Sequence, residues 1–209
     1  MIRNYLDDLN EAQRQAVVNT EGPALVIAGA GSGKTRVLTY RIVHLLQKNV
    51  PANRILALTF TNKAAKEMKD RISAIVNPDI ARYLWMGTFH SIFARILRGE
   101  GSRLGYKSNF TIYDASDSKS LVRTIIKEMN LDDNIYKPGV ISSRISTAKN
   151  DLVTANMYAS DASMQAYDKS IRMPLLSDIY KAYTARCFKA NAMDFDDLLL
   201  NTNILFRDF

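Results

Sequence analysis

Apolar residues follow two rhythms over the first ninety positions. Short unbroken runs, Ala24–Ala28 (ALVIA), Ile55–Leu58 (ILAL) and Leu84–Met86, alternate with stretches in which apolar side chains return every three or four residues. The unbroken runs read as strands buried on both faces, and the periodic stretches as amphipathic helices. The helices are Asn10–Asn19, Lys34–Gln47 (with Val37, Leu38, Ile42, Leu45 and Leu46 on one face) and Asn62–Val76, and Pro51 breaks the connection after the second. Short apolar strands alternating with helices predict an α/β fold of three layers, αβα, around a parallel sheet covered on both faces.

From about Ser91 the rhythm becomes almost wholly helical. Ser91–Arg98, Ser116–Asn130, Pro138–Asn150 and Leu175–Ala190 carry helical spacing, and Phe110–Tyr113 is a candidate strand among them. Asp151–Met173 has no clear period and predicts a loop with a short helix. Residues 91–190 therefore read as a mainly α-helical domain inserted after the third strand. The last piece, Asp194–Phe206, opens on Asp-Phe-Asp-Asp and runs into three leucines, a helix start with acidic residues in its first turn.

Composition narrows the class without choosing a function. The 209 residues are 47% hydrophobic and 23% charged, as in an ordinary globular protein. The opening decapeptide has no apolar h-region, and no apolar stretch approaches the ~20 residues that span a bilayer. The lone cysteine, Cys187, reads as a packing residue and fits a reducing, cytoplasmic setting. The net charge of +7 is spread unevenly. Residues 1–90 carry 12 Lys and Arg against 7 Asp and Glu, residues 91–190 carry 15 against 10, and the last 19 carry 1 against 4. An excess of five positive charges in each of the first two blocks favours a polyanionic partner.

The strongest chemical signal lies between the first apolar run and the first long helix. Ala28, Gly29, Ala30, Gly31, Ser32, Gly33, Lys34 and Thr35 form the phosphate-loop pattern with alanine in its first glycine position. Glycines let the backbone turn tightly and aim N–H groups at phosphate oxygens. Lys34 can reach the β- and γ-phosphates, and the Thr35 hydroxyl can hold Mg²⁺. The following helix adds the positive end of its dipole. These residues predict binding of a nucleoside triphosphate with Mg²⁺, but kinases, GTPases, transporters and helicases share such a loop.

Further motifs separate these classes by resemblance. Leu9–Val17 (LNEAQRQAV), Ala28–Leu38 (AGAGSGKTRVL), Leu58–Met68 (LTFTNKAAKEM) and Gly87–Ser91 (GTFHS) resemble, in order and spacing, the opening motifs of superfamily 1 DNA helicases of the UvrD/PcrA/Rep group. Met193–Leu200 (MDFDDLLL) is similar to the segment that returns that family's chain to its first motor domain. The resemblance covers essentially the whole chain and is tight in these five stretches. It implies a RecA-like domain formed by residues 1–90 and 191–209, interrupted by the helical insertion 91–190. It also implies ATP and Mg²⁺ as cofactors, single-stranded DNA and the single-strand/duplex junction as partners, and 3′→5′ movement of the parent protein.

Individual roles follow from matching positions. Gln13 resembles the glutamine that reads the adenine edge, although Asn10 and Gln13 are also spaced as a capping box. Arg36 matches a residue that packs on the base, the alternative being an exposed helix arginine. Thr61, Asn62 and Lys63 stand after the second apolar run, where the family contacts DNA. Phe60 matches a base-stacking position or is a core residue, and Asn62 alone fits a helix cap. Thr88, Phe89 and His90 repeat the arrangement after the third run. His44 reads as a helix-surface or packing residue and has no companion at metal-ligand spacing. Arg95, Arg98, Arg103 and Lys107 open the insertion, as phosphate contacts or a solvated helix face.

One expected part is missing. The family holds Mg²⁺ and orients water with an Asp-Glu pair ending an apolar strand, whereas Asp194, Asp196 and Asp197 read as beginning a helix. The chain is therefore expected to bind ATP–Mg²⁺ weakly without turnover, and to present an unsatisfied sheet edge that favours self-association. The rival readings are another P-loop enzyme, such as a small-molecule kinase, and a nucleotide- or DNA-binding module that never hydrolyses.

Overall fold

The computed structural model describes residues 5–209, so the first four residues of the opening decapeptide lie outside the described residues. The chain divides into two compact units, the first ending at Ile92 and the second running Phe93–Phe209.

In the first unit a 3₁₀ turn, Tyr5–Asp8, leads into α1 (Glu11–Val18) and α2 (Lys34–Gln47). Then come β1 (Leu56–Thr59), α3 (Asn62–Ser73), α4 (Pro78–Ala81), β2 (Trp85–Thr88) and α5 (Phe89–Glu100), whose later turns belong to the second unit. β1 and β2 pair in parallel, with Leu56 beside Trp85 and Thr59 beside Thr88. Helical spacing places Met68 and Ile72 of α3 one turn apart, and both are buried against Ile42, Ile55, Ala57 and Leu84. The two later apolar runs thus form the expected parallel pair.

The first apolar run does not form a strand. Ala24–Ala28 pairs with no strand among the described residues, and Leu25 and Ile27 are 87% and 90% exposed. A strand buried on both faces needs hydrogen-bonded neighbours and covering helices. Here β1 and β2 bond only each other, and even Leu56 of β1 is 49% exposed. The αβα sheet read from the sequence is present as mixed α/β structure with parallel strands, without a strand at 24–28.

Side chains of α2 fasten the segments that precede it. The Arg41 guanidinium donates to the carbonyls of Ala16 and Asn19, both at 2.6 Å, at the end of α1. The Tyr40 hydroxyl donates to Asp8 at 3.3 Å, and Tyr5 Oη lies 2.6 Å from His44 Nδ1. His44 is buried, as the packing alternative anticipates. Burial, then the charges of Lys48 and Arg41, hold its imidazole below the usual range.

The second unit is mainly helical. It holds β3 (Thr111–Tyr113), α6 (Ala115–Glu128), α7 (Pro138–Asn150), α8 (Ala155–Ser160), α9 (Ala162–Ser170), α10 (Leu176–Lys189), β4 (Ala192–Asp194) and α11 (Phe195–Asp208). Val122, Ile125, Ile141, Ile145, Leu176 and Ile179 form its main core, each 2% exposed or less. Burying each such side chain contributes about 1.5–3 kcal/mol. Cys187 is also buried there, and burial pushes its thiol up to about 12, so it behaves as a packing residue.

Two features differ from the sequence reading. Asp151–Met173 contains two helices instead of a loop with one, and each begins on a side-chain cap. Thr154 accepts from the Met157 N–H, and Asp161 from the Ser163 and Met164 N–H groups. Neither helix is long enough to display a period. The acidic cluster, moreover, both ends a strand and begins a helix. Ala192, Met193 and Asp194 form the wholly buried β4, parallel to β3, and Asp194 caps α11. Residues from Asn191 onward make these contacts inside the second unit, with α11 packed on α7.

Asp194 and Asp197 share one buried cation. Lys149 Nζ lies 2.6 Å from Asp194 Oδ2 and 2.7 Å from Asp197 Oδ1, and the lysine is 1% exposed. The Tyr183 hydroxyl adds a 2.7 Å bond to Asp194. Two carboxylates against one ammonium cannot ionise equally well. Asp194, with more donors, is held below the usual carboxylate range despite its burial, whereas burial and the neighbouring Asp194 charge push Asp197 up to about 6. The folded chain thus binds the Asp197 proton more tightly than the unfolded chain does. Its contribution to stability is full below about pH 4 and is lost as pH rises to about 6. Against an Asp197→Asn variant, the unsubstituted chain is expected to lose about 2–3 kcal/mol across that window, read from urea midpoints at several pH values. A constant difference across the window would remove the assignment.

Candidate functional site

The phosphate-loop pattern becomes a loop leading into α2. Gly31 and Gly33 have φ of +74° and +84°, a left-handed conformation that side-chain-bearing residues rarely adopt. Gly33 immediately precedes α2, so Lys34 and Thr35 are its first two residues and the helix N-terminus faces the loop. Within the loop, Ser32 Oγ donates to the Gly29 carbonyl at 2.8 Å. Lys34 Nζ donates to the carbonyls of Ala28 at 3.2 Å and Gly29 at 2.7 Å. Ala30 and Thr35 are exposed beside them, and no heavy atom lies within 4 Å of a Cβ added at Gly29 or Gly31.

A cleft of about 570 Å³ adjoins the loop, lined by Gln13, Ala24, Ile27, Gly29, Lys34 and Arg41 among others. Gln13 enters it from α1. The glutamine does close the capping box with Asn10, and its Nε2 also reaches the Ser32 carbonyl at 3.0 Å. Arg36 is exposed on α2, with its guanidinium 5.7 Å from the centre of the Tyr40 ring. Tyr40 was not singled out from the sequence. Its only signal is the four-residue spacing that stacks side chains on one helix face.

The second set of residues gathers at the carboxyl ends of β1 and β2. Register brings Thr59-Phe60 alongside Thr88-Phe89, because Thr59 pairs with Thr88. The two phenyl rings consequently lie 5.7 Å apart and tilted by 40°. Phe60 is 91% exposed, which excludes the core alternative. A threonine hydroxyl near the end of each strand caps the helix that follows, Thr61 two residues beyond β1 and Thr88 as the last residue of β2. Thr61 accepts from the Ala64 N–H at 3.1 Å, and Thr88 from the Ser91 N–H at 3.2 Å. Thr61 is therefore the cap of α3, and Asn62, read as a possible cap, is its first residue, exposed with Lys63. His90 lies in the first turn of α5, half-buried. Gly87 lets α5 approach β2, since a Cβ there would sit 2.6 Å from Ser91 Oγ and 3.2 Å from Ile92 Cγ1.

Of the basic residues that open the insertion, Arg98 and Arg103 have partners in the fold. Arg98 donates to the Ser108 and Phe110 carbonyls, at 3.0 and 3.3 Å, and lies over the Phe110 ring. Arg103 pairs with Glu100 at 2.8 Å. Both remain exposed, as on a solvated helix face. The described residues contain no group of three or more His, Cys, Asp or Glu able to hold a metal ion, and no helix long and apolar enough to cross a membrane.

Residues 9–209 match the family model described as the UvrD/REP helicase N-terminal domain. Among curated relatives, the chain is 45% identical over 207 residues to the ATP-dependent DNA helicase PcrA of Leuconostoc citreum, covering 99% of this chain and 27% of that protein. It is 45% identical over 203 residues to the PcrA helicase of Staphylococcus aureus strain Mu50, covering 97% and 27%. The PcrA helicase of Staphylococcus epidermidis is 46% identical over 201 residues, with 96% and 27% covered. The chain thus spans about a quarter of the length of the relatives it matches.

Proposed function

The chain belongs to the UvrD/REP helicase family, matching its N-terminal domain, and on that premise we propose that it is the ATP- and DNA-binding front part of an ATP-dependent DNA helicase. The observation that carries this reading is the loop from Ala28 to Thr35. Its two left-handed glycines precede a helix whose first residue is Lys34, next to an open cleft. The donor set fits a triphosphate: loop amides, one ammonium and a helix N-terminus, with the Thr35 hydroxyl as a ligand for Mg²⁺. Gln13 lines the cleft and would bond the edge of the base, whereas Arg36, exposed on α2 beside Tyr40 and outside the cleft lining, would have to leave Tyr40 to pack on the base's face.

Single-stranded DNA is assigned to the rim formed by Phe60, Thr61, Asn62 and Lys63 with Thr88, Phe89 and His90. A fully exposed phenyl ring braced by another beside helix N-termini supplies a stacking platform and phosphate donors together. In the parent protein, residues 1–90 and 191–209 would contribute to a RecA-like motor domain, and 91–190 would form its insertion near the single-strand/duplex junction. The parent would move 3′→5′ in the cytoplasm, in DNA repair or a related pathway. The 209-residue chain itself is assigned binding without turnover. What supports this is that its acidic pair Asp194 and Asp197 is engaged by Lys149 within the fold.

The reading is tested by titrating a fluorescent oligothymidylate at several salt concentrations, with the Phe60→Ala variant in parallel. Phosphate tracking gives a steep fall of affinity with salt. Loss of the ring should weaken binding by about 1–3 kcal/mol, with little change in melting temperature because Phe60 is 91% exposed. Salt-independent binding, or equal affinity of the variant, would count against the rim.

A further inference from the structure

Gln13 has two side-chain partners, and they pull on opposite ends of its amide. Oε1 accepts from the Asn10 backbone N–H at 3.2 Å, which together with the Asn10 side chain closes the capping box of α1. Nε2 donates to the Ser32 carbonyl at 3.0 Å, inside the phosphate loop and nineteen residues away. The capping box thus holds the amide still while its other end grips the loop.

A peptide unit is planar, with its C=O and N–H directed to opposite sides. Drawing the Ser32 carbonyl toward Gln13 therefore turns the Gly33 N–H away from Gln13 and sets the orientation of one of the loop's donors. Gly33 also leaves room for this grip, because a Cβ there would lie 2.9 Å from Gln13 Nε2. Gly33, at φ +84°, has no Cβ to restrict rotation of the adjoining peptide planes, so an outside tether has more to fix there than at other residues. The other end of Ser32 is tied through its hydroxyl to the Gly29 carbonyl at 2.8 Å.

Resting on the nucleotide assignment above, we propose that Gln13 is a positioning residue for the phosphate loop: by holding the Ser32 carbonyl it orients the Ser32–Gly33 peptide and strengthens polyphosphate binding, independently of any contact with a base. An amide nitrogen carries two hydrogens, and Ser32 takes one of them. The second remains for a base edge, so one side chain links occupation of the base position to the shape of the loop.

The decisive probe is a ligand without a base. Calorimetric titration of the 209-residue chain with Mg²⁺–tripolyphosphate and with Mg²⁺–ATP is compared for the unsubstituted chain, Gln13→Met and Asn10→Ala. Gln13→Met removes the tether, whereas Asn10→Ala opens the capping box and leaves the tether's donor and acceptor in place. Gln13→Met should weaken tripolyphosphate binding about three- to tenfold, the range of one net hydrogen bond, with Asn10→Ala within about twofold of the parent. Gln13→Glu, which keeps the capping box but has no donor for Ser32, should reproduce the loss. If Gln13→Met weakens ATP alone, the glutamine acts only on the base and the proposal is overturned. Equal losses in Gln13→Met and Asn10→Ala would also overturn it, placing the effect in helix α1. Failure of the unsubstituted chain to bind either ligand is a different result, which removes the nucleotide assignment itself.

Discussion

Replacing Lys149 by methionine is expected to destabilise the second unit by about 3–5 kcal/mol, the cost of removing one partner from a buried ion pair. The ammonium is bonded to both Asp194 and Asp197, at 2.6 and 2.7 Å, and the three residues are all at most 7% exposed. Methionine matches the length and the packing of the lysine stem, so the loss is electrostatic instead of steric. Both carboxylates would be left in a medium that penalises their ionised forms, and both caps of α11 would suffer with them. Domain stabilities of about 5–15 kcal/mol make this a large fraction of the whole. The check is urea unfolding followed by circular dichroism, in a comparison with Lys149→Met combined with Asp194→Asn and Asp197→Asn. The triple variant should recover much of the loss, because neutral side chains need no counter-charge. A single variant as stable as the parent would mean that the ion cluster contributes nothing to the fold.

This cluster also marks where the sequence stopped being informative. Lys149 lies 45 residues from Asp194, and nothing in either neighbourhood announces the other. Read alone, Lys149 is one more cation near the end of a helix, and Asp194-Phe-Asp-Asp is an acidic first turn. Both descriptions hold locally, yet the tertiary pairing that gives them their energies is invisible to periodicity. Helices α7 and α10 were legible because fourteen or so residues display three or four turns of one apolar face. α8 and α9, with six and nine residues, do not. β4, three residues long, was hidden because its last residue, Asp194, is also the cap of α11, so the acidic run read only as a helix start.

The candidate site divides along the same line. Turn chemistry is local, so the loop from Ala28 to Thr35 could be located from its glycines, and the left-handed φ values at Gly31 and Gly33 occur where the pattern requires them. The pairing of Phe60 with Phe89 depends on strand register, which no single segment encodes. The repeated Thr-Phe after two apolar runs was the trace it left in the sequence. Ala24–Ala28 failed in the opposite direction. Its composition describes a strand with neighbours on both edges, and composition cannot reveal that the described residues supply none.

Replacing Lys34 by alanine is expected to lower affinity for Mg²⁺–ATP about ten- to a hundredfold, the range set by losing a charge-assisted bond to a phosphate oxygen. The ammonium is folded onto the loop's own carbonyls, at 2.7 Å from Gly29 and 3.2 Å from Ala28. Those contacts place it at the mouth of the loop, where a phosphate oxygen would compete as a stronger, charged acceptor. Lys34 is exposed, so its removal should change the unfolding free energy by no more than about 0.5 kcal/mol. Arginine should not restore affinity, since a planar fork cannot enter a cradle shaped for a single rotating donor. Binding of single-stranded DNA to the Phe60 rim should persist in the alanine variant, because the strand ends of β1 and β2 owe nothing to Lys34. Calorimetry with ATP and fluorescence titration with DNA on one preparation separate the two sites. Undiminished ATP affinity in the alanine variant would show that the loop is not where the nucleotide is held, whatever its backbone resembles.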